Sequence, residues 1–310
     1  MKVVIAGGSG FLGSPLSWAW AEEEHDVRVL TRALLPGQVQ HESGTGKPGI
    51  TRVGWAPDGS AGQLAREFDG ATAIINLAGE SLARGRWNTA RKQLLRESRI
   101  IPTRSLVAAF AESSAPPPTF ISGSSVGYYG DRGSEPLTEE SSAGSDFLAQ
   151  LCVDWEAEAQ RAARPGVRVI TLRTGLALEK SGGLVAQMML PFRLFAGGPL
   201  GSGRQYMAWV HRHDWVEVVR WLVETPSVSG AVNVTAPHPV TNAEFARALG
   251  RALHRPAFLP APAFALRIVL GEMADAALTG QRALPARAQS AGYHFRYPEI
   301  DIAFRGIFGD

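Results

Sequence analysis

Gly7, Gly10 and Gly13 stand three residues apart directly after the short apolar run Lys2-Val3-Val4-Ile5-Ala6. A helical pattern through Leu16, Trp20 and Ala21 follows them. Strand, glycine turn, helix is the context that a dinucleotide-binding fingerprint requires. Gly7 lets the chain turn sharply off the strand, and Gly10 has no Cβ to keep a pyrophosphate from its backbone. Gly13 lets the helix pack close. The N–H groups of the first helical turn, at Phe11, Leu12 and Gly13, then face the phosphates. Without a ligand, the same spacing would be only a tight strand–helix turn.

A second polar choice comes where the next strand closes. In folds that prefer NAD, an acidic side chain there accepts a hydrogen bond from the adenosine ribose 2′-hydroxyl. This chain offers Thr31 and Arg32, with no Asp or Glu between Val27 and Gln40. A carboxylate repels a 2′-phosphate, whereas a guanidinium fork binds one. NADP(H) is therefore the expected dinucleotide, against a bland reading of Arg32 as a solvated loop cation. A further strand ends in Asn76-Leu77-Ala78-Gly79, small residues that let backbone approach the ribose.

The elements that must hold these residues follow from pattern. Strands are expected at 27–31, 51–55, 71–76, 119–122 and 167–172, with a Gly/Ser/Pro-rich exposed loop at 35–49. Helical periodicity covers 86–112, bent at Pro102, and a helix capped by Asp146 runs to about 164. Alternation of strand and helix over the first 175 residues indicates an α/β fold, a Rossmann-like doubly wound parallel sheet. Beyond Gly175, glycines and prolines cluster. A helix at 214–224 and a strand at 231–234 return to the sheet, and Thr241 caps a helix to 253. Residues 1–235 are expected to form the nucleotide-binding domain, with 176–212 on the substrate side. Residues 236–310 form a smaller C-terminal, lid-like substrate domain.

Bulk properties exclude several classes. The formal net charge is only +2 over 310 residues, which implies no strong field for nucleic acid or a membrane surface. No apolar stretch approaches about 18 residues without interruption, so no membrane span is expected. The single cysteine, Cys152, rules out an internal disulfide and fits a reducing, cytoplasmic compartment.

Several longer segments carry a resemblance. They include Asn76-Leu77-Ala78-Gly79-Glu80, Arg86-Trp87-Asn88, Gly127-Tyr128-Tyr129-Gly130, Asp154-Trp155-Glu156, Leu190-Pro191-Phe192-Arg193 and the loop from Gly197 to Gln205. With the glycine fingerprint they resemble extended short-chain dehydrogenase/reductases of the sugar-nucleotide epimerase type. More narrowly, they resemble the atypical epimerase-family branch with a distinctive C-terminal domain. The resemblance implies NADP as cofactor, with Leu77, Ala78 and Arg99 also touching it, and analogy allows a homodimer through the long helices.

The parent superfamily uses a Tyr-x-x-x-Lys pair, one helical turn apart on one face. The five tyrosines here are 128, 129, 206, 293 and 297, and none has a lysine four residues on. Replacement candidates are Ser124, where the superfamily's serine falls, and Tyr128 on the same loop, with Lys92 or Arg99 as the cation a phenol needs. The competing readings are a strand-end hydroxyl and an aromatic pair packed against the lid. Glu80 is a weaker acid/base candidate, and Arg204 suits an anionic substrate group. His211, His213 and Asp214 fit no zinc spacing, and Asp214 reads as a helix cap, so no metal site is expected. The expected function is an NADP(H)-binding oxidoreductase or epimerase acting at a carbinol carbon of a small or nucleotide-sugar-like substrate. A non-catalytic NADP(H)-responsive protein is the alternative. A conventional sugar-nucleotide epimerase is disfavoured by the missing pair.

Overall fold

A computed structural model describes residues 1–44 and 47–309. The apolar runs become the strands β1 (Lys2–Ala6), β2 (Asp26–Thr31), β3 (Val39–Gly44), β4 (Lys47–Gly54), β5 (Ala73–Asn76) and β6 (Thr119–Ser125). Two-residue β7 (Pro136–Leu137), β8 (Arg168–Thr174) and β9 (Leu176–Leu178) follow. The remaining strands are β10 (Tyr206–Met207), β11 (Trp209–His211), β12 (Gly230–Val234), β13 (Val240–Thr241) and β14 (Arg282–Ala283). Among the described residues eight of these form one sheet, in the order β12-β8-β6-β5-β1-β2-β4-β3. Every pairing in it is parallel except β3 with β4. The order reverses direction at β1, so a crevice opens at the carboxyl ends of β1 and β5, where doubly wound sheets bind ligands.

Strand alternation sends successive side chains to opposite faces. Val3 and Ile5 meet Leu16 and Trp20 of α1 (Gly13–Ala21), and Trp215, Val219 and Leu222 of α6 (Arg212–Glu224) complete that cluster. Val4 and Ala6 face the other way. That layer takes Phe68 of α2 (Leu64–Phe68), Leu106 and Phe110 of α3 (Thr89–Glu112), and Ala159 of α4 (Phe147–Gln160). A third cluster joins Val185 and Phe192 of α5 (Gly183–Arg193) to Phe245 and Leu249 of α7 (Asn242–Leu253) and Phe304 of α11 (Ile300–Phe308). Between them lie α8 (Ala263–Leu270), α9 (Met273–Leu278) and α10 (Ala286–Ser290).

The expected helices hold, with shifted ends. Asp146 caps α4 by accepting the Ala149 N–H at 2.9 Å. Thr241 and Glu244 cap each other's backbone in a capping box at α7. The helix α3 continues through Pro102. Two expectations are corrected. The segment 35–49 is largely not loop. It supplies β3 and the start of β4, an edge hairpin joined by Arg52–Glu42 and His41–Thr51 contacts, while residues 45 and 46 lie outside the described residues. The cap of α6 is His211, whose Nδ1 accepts the His213 N–H at 3.1 Å, and not Asp214. Asp214 sits within the first turn, 1% exposed, and accepts the N–H groups of Arg296 (3.0 Å) and Tyr297 (2.8 Å). It therefore fastens the C-terminal segment to the main sheet's helical layer. Arg287 does the same at β12, donating to the carbonyls of Ser229 and Ala231.

Candidate functional site

The glycine turn is built as its spacing demands. Gly7 has φ of +77°, and a Cβ on it would stand 2.6 Å from the Leu77 carbonyl carbon. Its carbonyl accepts the Gly10 N–H at 3.0 Å, and the Gly10 carbonyl accepts the Ser14 N–H at 2.9 Å. A Cβ on Gly13 would lie 2.2 Å from the Gly7 oxygen, so only glycine lets α1 start against the turn. At Gly10 the single neighbour a Cβ would meet is the Gly7 oxygen at 3.2 Å; the rest is open. Among the described residues no side chain caps α1. The turn thus offers an open, Cβ-free face at the positive end of a helix, which fits a pyrophosphate. The Phe11 ring lies within 2.7 Å of a Cβ built on Gly182, and Arg212 stands 5.5 Å above its centroid. Arg212 pairs with Glu179 at 2.8 Å.

On the adenosine side, Thr31 Oγ1 accepts the Ala33 N–H at 3.1 Å and so fixes the turn that carries Arg32. Arg32 is exposed at the carboxyl end of β2 and makes no ion pair among the described residues. Leu77 continues β5 by donating to the Ala6 carbonyl at 2.8 Å. Buried Asn76 holds this strand end. Its Oδ1 accepts the Ala78 N–H, and its amide donates to Thr103 and Ser122. Gly79 lies directly on Arg99, with 3.2 Å from a built Cβ to Cζ. Arg99 is 8% exposed and donates to the carbonyls of Leu95 and Glu80, both at 2.9 Å. It makes no ion pair among the described residues, and burial pushes its pKa down to about 10. Glu80 and the two carbonyls offset only part of its burial, so a further anion nearby would be favoured.

Beyond β6 the polar groups form one network. The Ser124 hydroxyl donates to Glu156 Oε1 at 2.6 Å. Arg173 grips both oxygens of that carboxylate at 2.9 Å. It also donates to the Tyr129 hydroxyl at 3.1 Å, which in turn donates to Asn233 Oδ1 at 2.7 Å. The Tyr128 ring stacks on the Arg173 guanidinium, 3.4 Å from centroid to Cζ. Burial works against the Arg173 charge, but the Glu156 carboxylate more than offsets it and holds the guanidinium above its ordinary pKa. Burial pushes the Tyr129 phenol up to about 12, so it stays neutral and structural. Burial likewise pushes the Cys152 thiol, packed against Ser124 and Ser125, up to about 12 and keeps it inert.

Ser124 and Tyr128 therefore meet in one cluster, joined by Glu156 and Arg173. The cation at Tyr128 is Arg173, not the expected Lys92 or Arg99. Lys92 pairs with Glu272 and lies over Phe147, and Arg99 is spent under Gly79. Glu80 pairs with Arg91. Arg204 is exposed and carries no ion pair among the described residues. Glu156, Arg173 and Asn233 were missed as site residues. The signal available was an arginine within the buried run of β8 and an asparagine in the otherwise apolar strand β12. Among the described residues no three His, Cys, Asp or Glu side chains gather as metal ligands.

Residues 3–235 match the NAD dependent epimerase/dehydratase family. The chain belongs to that family. Residues 261–307 match a domain of unknown function, DUF1731. Epimerase family protein Mb2239 of Mycobacterium bovis is 41% identical over 308 residues, covering 97% of this chain and 95% of that protein. The crystal structure of human epimerase family protein SDR39U1 (isoform 2) with NADPH superposes with a TM-score of 0.87 and 32% identity, covering all of both chains. The nucleoside-diphosphate sugar epimerase of Corynebacterium glutamicum gives 0.77 at 33% identity, covering all of this chain and 58% of that one. These relatives thus match this chain through both the sheet and the C-terminal region. No described helix is long and apolar enough to cross a membrane.

Proposed function

We propose that this chain binds NADP(H) across the carboxyl ends of β1, β2 and β5 and acts as an oxidoreductase or epimerase on a small or nucleotide-sugar-like substrate. The open Cβ-free face at Gly10, against the uncapped start of α1, carries the reading. Its agreement with a relative crystallised with NADPH supports it. Gly7, Gly10, Phe11, Leu12 and Gly13 would hold the pyrophosphate. Thr31 and Arg32 would hold the adenosine 2′-phosphate, Leu77, Ala78 and Gly79 the ribose, and Arg99 would lend positive charge from below. NADP(H) held by these residues would supply hydride transfer to or from a carbinol carbon.

In this reading, Ser124 and Tyr128 hold and move the substrate proton. Glu156 orients Ser124, and Arg173 fixes Glu156 and the Tyr128 ring together. Residues 1–235 form the nucleotide-binding unit, 176–212 border the substrate, and 236–310 close the other side, in a cytoplasmic protein. The absent Tyr-x-x-x-Lys pair favours the second reading, a non-catalytic NADP(H)-responsive protein. The test is absorbance of protein-bound NADPH against a panel of carbonyl compounds and nucleotide sugars. Turnover lost in Tyr128→Phe or Ser124→Ala supports the enzyme. Tight binding without turnover across the panel supports the sensor, and no binding overturns both.

A further inference from the structure

We infer that the C-terminal region carries a docking surface for an anionic lipid bilayer. Leu194, Phe195, Phe258, Phe264, Ile268 and Val269 are 60–74% exposed, and not one residue of α8 is buried. These residues belong to adjoining stretches. Arg255 stacks on the Phe195 ring at 4.9 Å, the Leu259 N–H donates to the Gly197 carbonyl at 3.2 Å, and Leu200 bridges to Ala261 just before α8. A cluster of large exposed apolar side chains this dense marks an interaction site.

Charge identifies the occupant. Stretches 184–200 and 245–270 together hold five arginines and no Asp or Glu, in a chain whose charges otherwise nearly balance. Arg193 and Arg255 have no carboxylate partner among the described residues, while Arg247 lies near Glu244, and Arg251 and Arg267 pair with exposed Asp301 and Asp275. Arg247, Arg251, His254 and Arg255 line a cleft of about 670 Å³ beside Phe258, and Arg255 Nε is buried without a hydrogen-bond partner among the described residues. An apolar ridge flanked by five arginines, two of them with no carboxylate beside them, suits the headgroup and acyl boundary of an anionic membrane. Two copies of this face would repel each other. The near-neutral net charge hides this because it averages over the whole chain.

The test is co-sedimentation of the whole protein with vesicles of phosphatidylcholine, alone or with about a third phosphatidylserine. Binding is expected to the anionic vesicles and to be much weaker with neutral ones. Phe264→Glu and Ile268→Glu should each weaken it by about tenfold or more. Arg193→Gln and Arg247→Gln should each weaken it roughly fivefold, on anionic vesicles only. Circular dichroism and NADPH binding should stay unchanged, and the exposed arginine variants keep the test decisive should a glutamate variant misfold. No sedimentation, or equal binding to both vesicle types, overturns the inference. So does a dimer that Ile268→Glu dissociates in ultracentrifugation, or capture of an acidic amphipathic peptide without vesicle binding.

Discussion

Alanine at Gly10 and alanine at Gly13 should fail in opposite ways, although the two residues share one motif. A Cβ on Gly13 would sit 2.2 Å from the Gly7 carbonyl oxygen and 2.7 Å from Gly8 Cα. That is more than about 1 Å inside ordinary contact, and both neighbours are backbone that cannot rotate away. The helix α1 must retreat from β1, and Leu16 and Trp20, both fully buried, move with it. Overpacking of this kind costs about 3 kcal/mol, which lowers Tm by roughly 5 °C in a chain of this length. At Gly10 a Cβ meets only one oxygen, at 3.2 Å. The cost of a few tenths of an ångström is offset by about 0.4–1 kcal/mol from the stiffer unfolded chain, so Tm should hardly move. The methyl would instead stand where the pyrophosphate approaches. Losing one charge-assisted backbone hydrogen bond, worth about 1.5–3 kcal/mol, weakens NADPH binding at least about tenfold. Thermal melts and NADPH fluorescence titrations of the two variants measure both quantities. Gly10→Ala that keeps full stability and also binds NADPH like the parent would refute the placement of the phosphates.

Arg32→Asp removes the exposed guanidinium at the end of β2 and puts a carboxylate in its place. NADPH binding should fall by about a hundredfold at low salt, and less at high salt, while NADH binding changes within roughly threefold. Parallel titrations decide it, and equal losses contradict it. Arg173→Met breaks a pair whose side chains are 5% and 14% exposed, leaving Glu156 buried without its cation. It should cost about 3–5 kcal/mol in urea unfolding, and adding Glu156→Gln should recover part of that loss. His211 is held down to about 4 from 6.5, first by burial and then by His213, Arg212 and Arg296. Between those values the unfolded chain takes the proton more readily than the folded one. Stability should therefore fall as pH drops from about 6.5 toward 4. His211→Asn, which keeps an acceptor for the His213 N–H, should flatten that slope; an unchanged slope in urea titrations would exclude His211 as its source.

What was legible in the sequence was what local spacing controls. The fingerprint, the strand end at Asn76 and the caps at Asp146 and Thr241 each depend on residues a few positions apart. Pairing made over distance was not legible. The hairpin of β3 and β4 looks like loop because its residues are polar and glycine-rich. Edge strands form through their partner's ladder, here with Glu42 reaching Arg52, more than through propensity. Asp214 looks like a cap because it is an acid near a helix start. Its true partners are backbone groups more than eighty residues further along the chain, which no local rule reports. Arg173 was visible as a charge in a buried strand, but its partner Glu156 lies on α4 and its stacking on Tyr128 appears only in the fold.

Calorimetric titration of the unmodified protein with NADPH and with NADH, in one buffer, tests most directly whether a phosphorylated dinucleotide rests on the glycine turn and is chosen by Arg32. One NADPH should bind per chain, with NADH weaker by about tenfold or more. Equal affinity for the two would contradict the role of Arg32, and no heat with either would contradict the site itself.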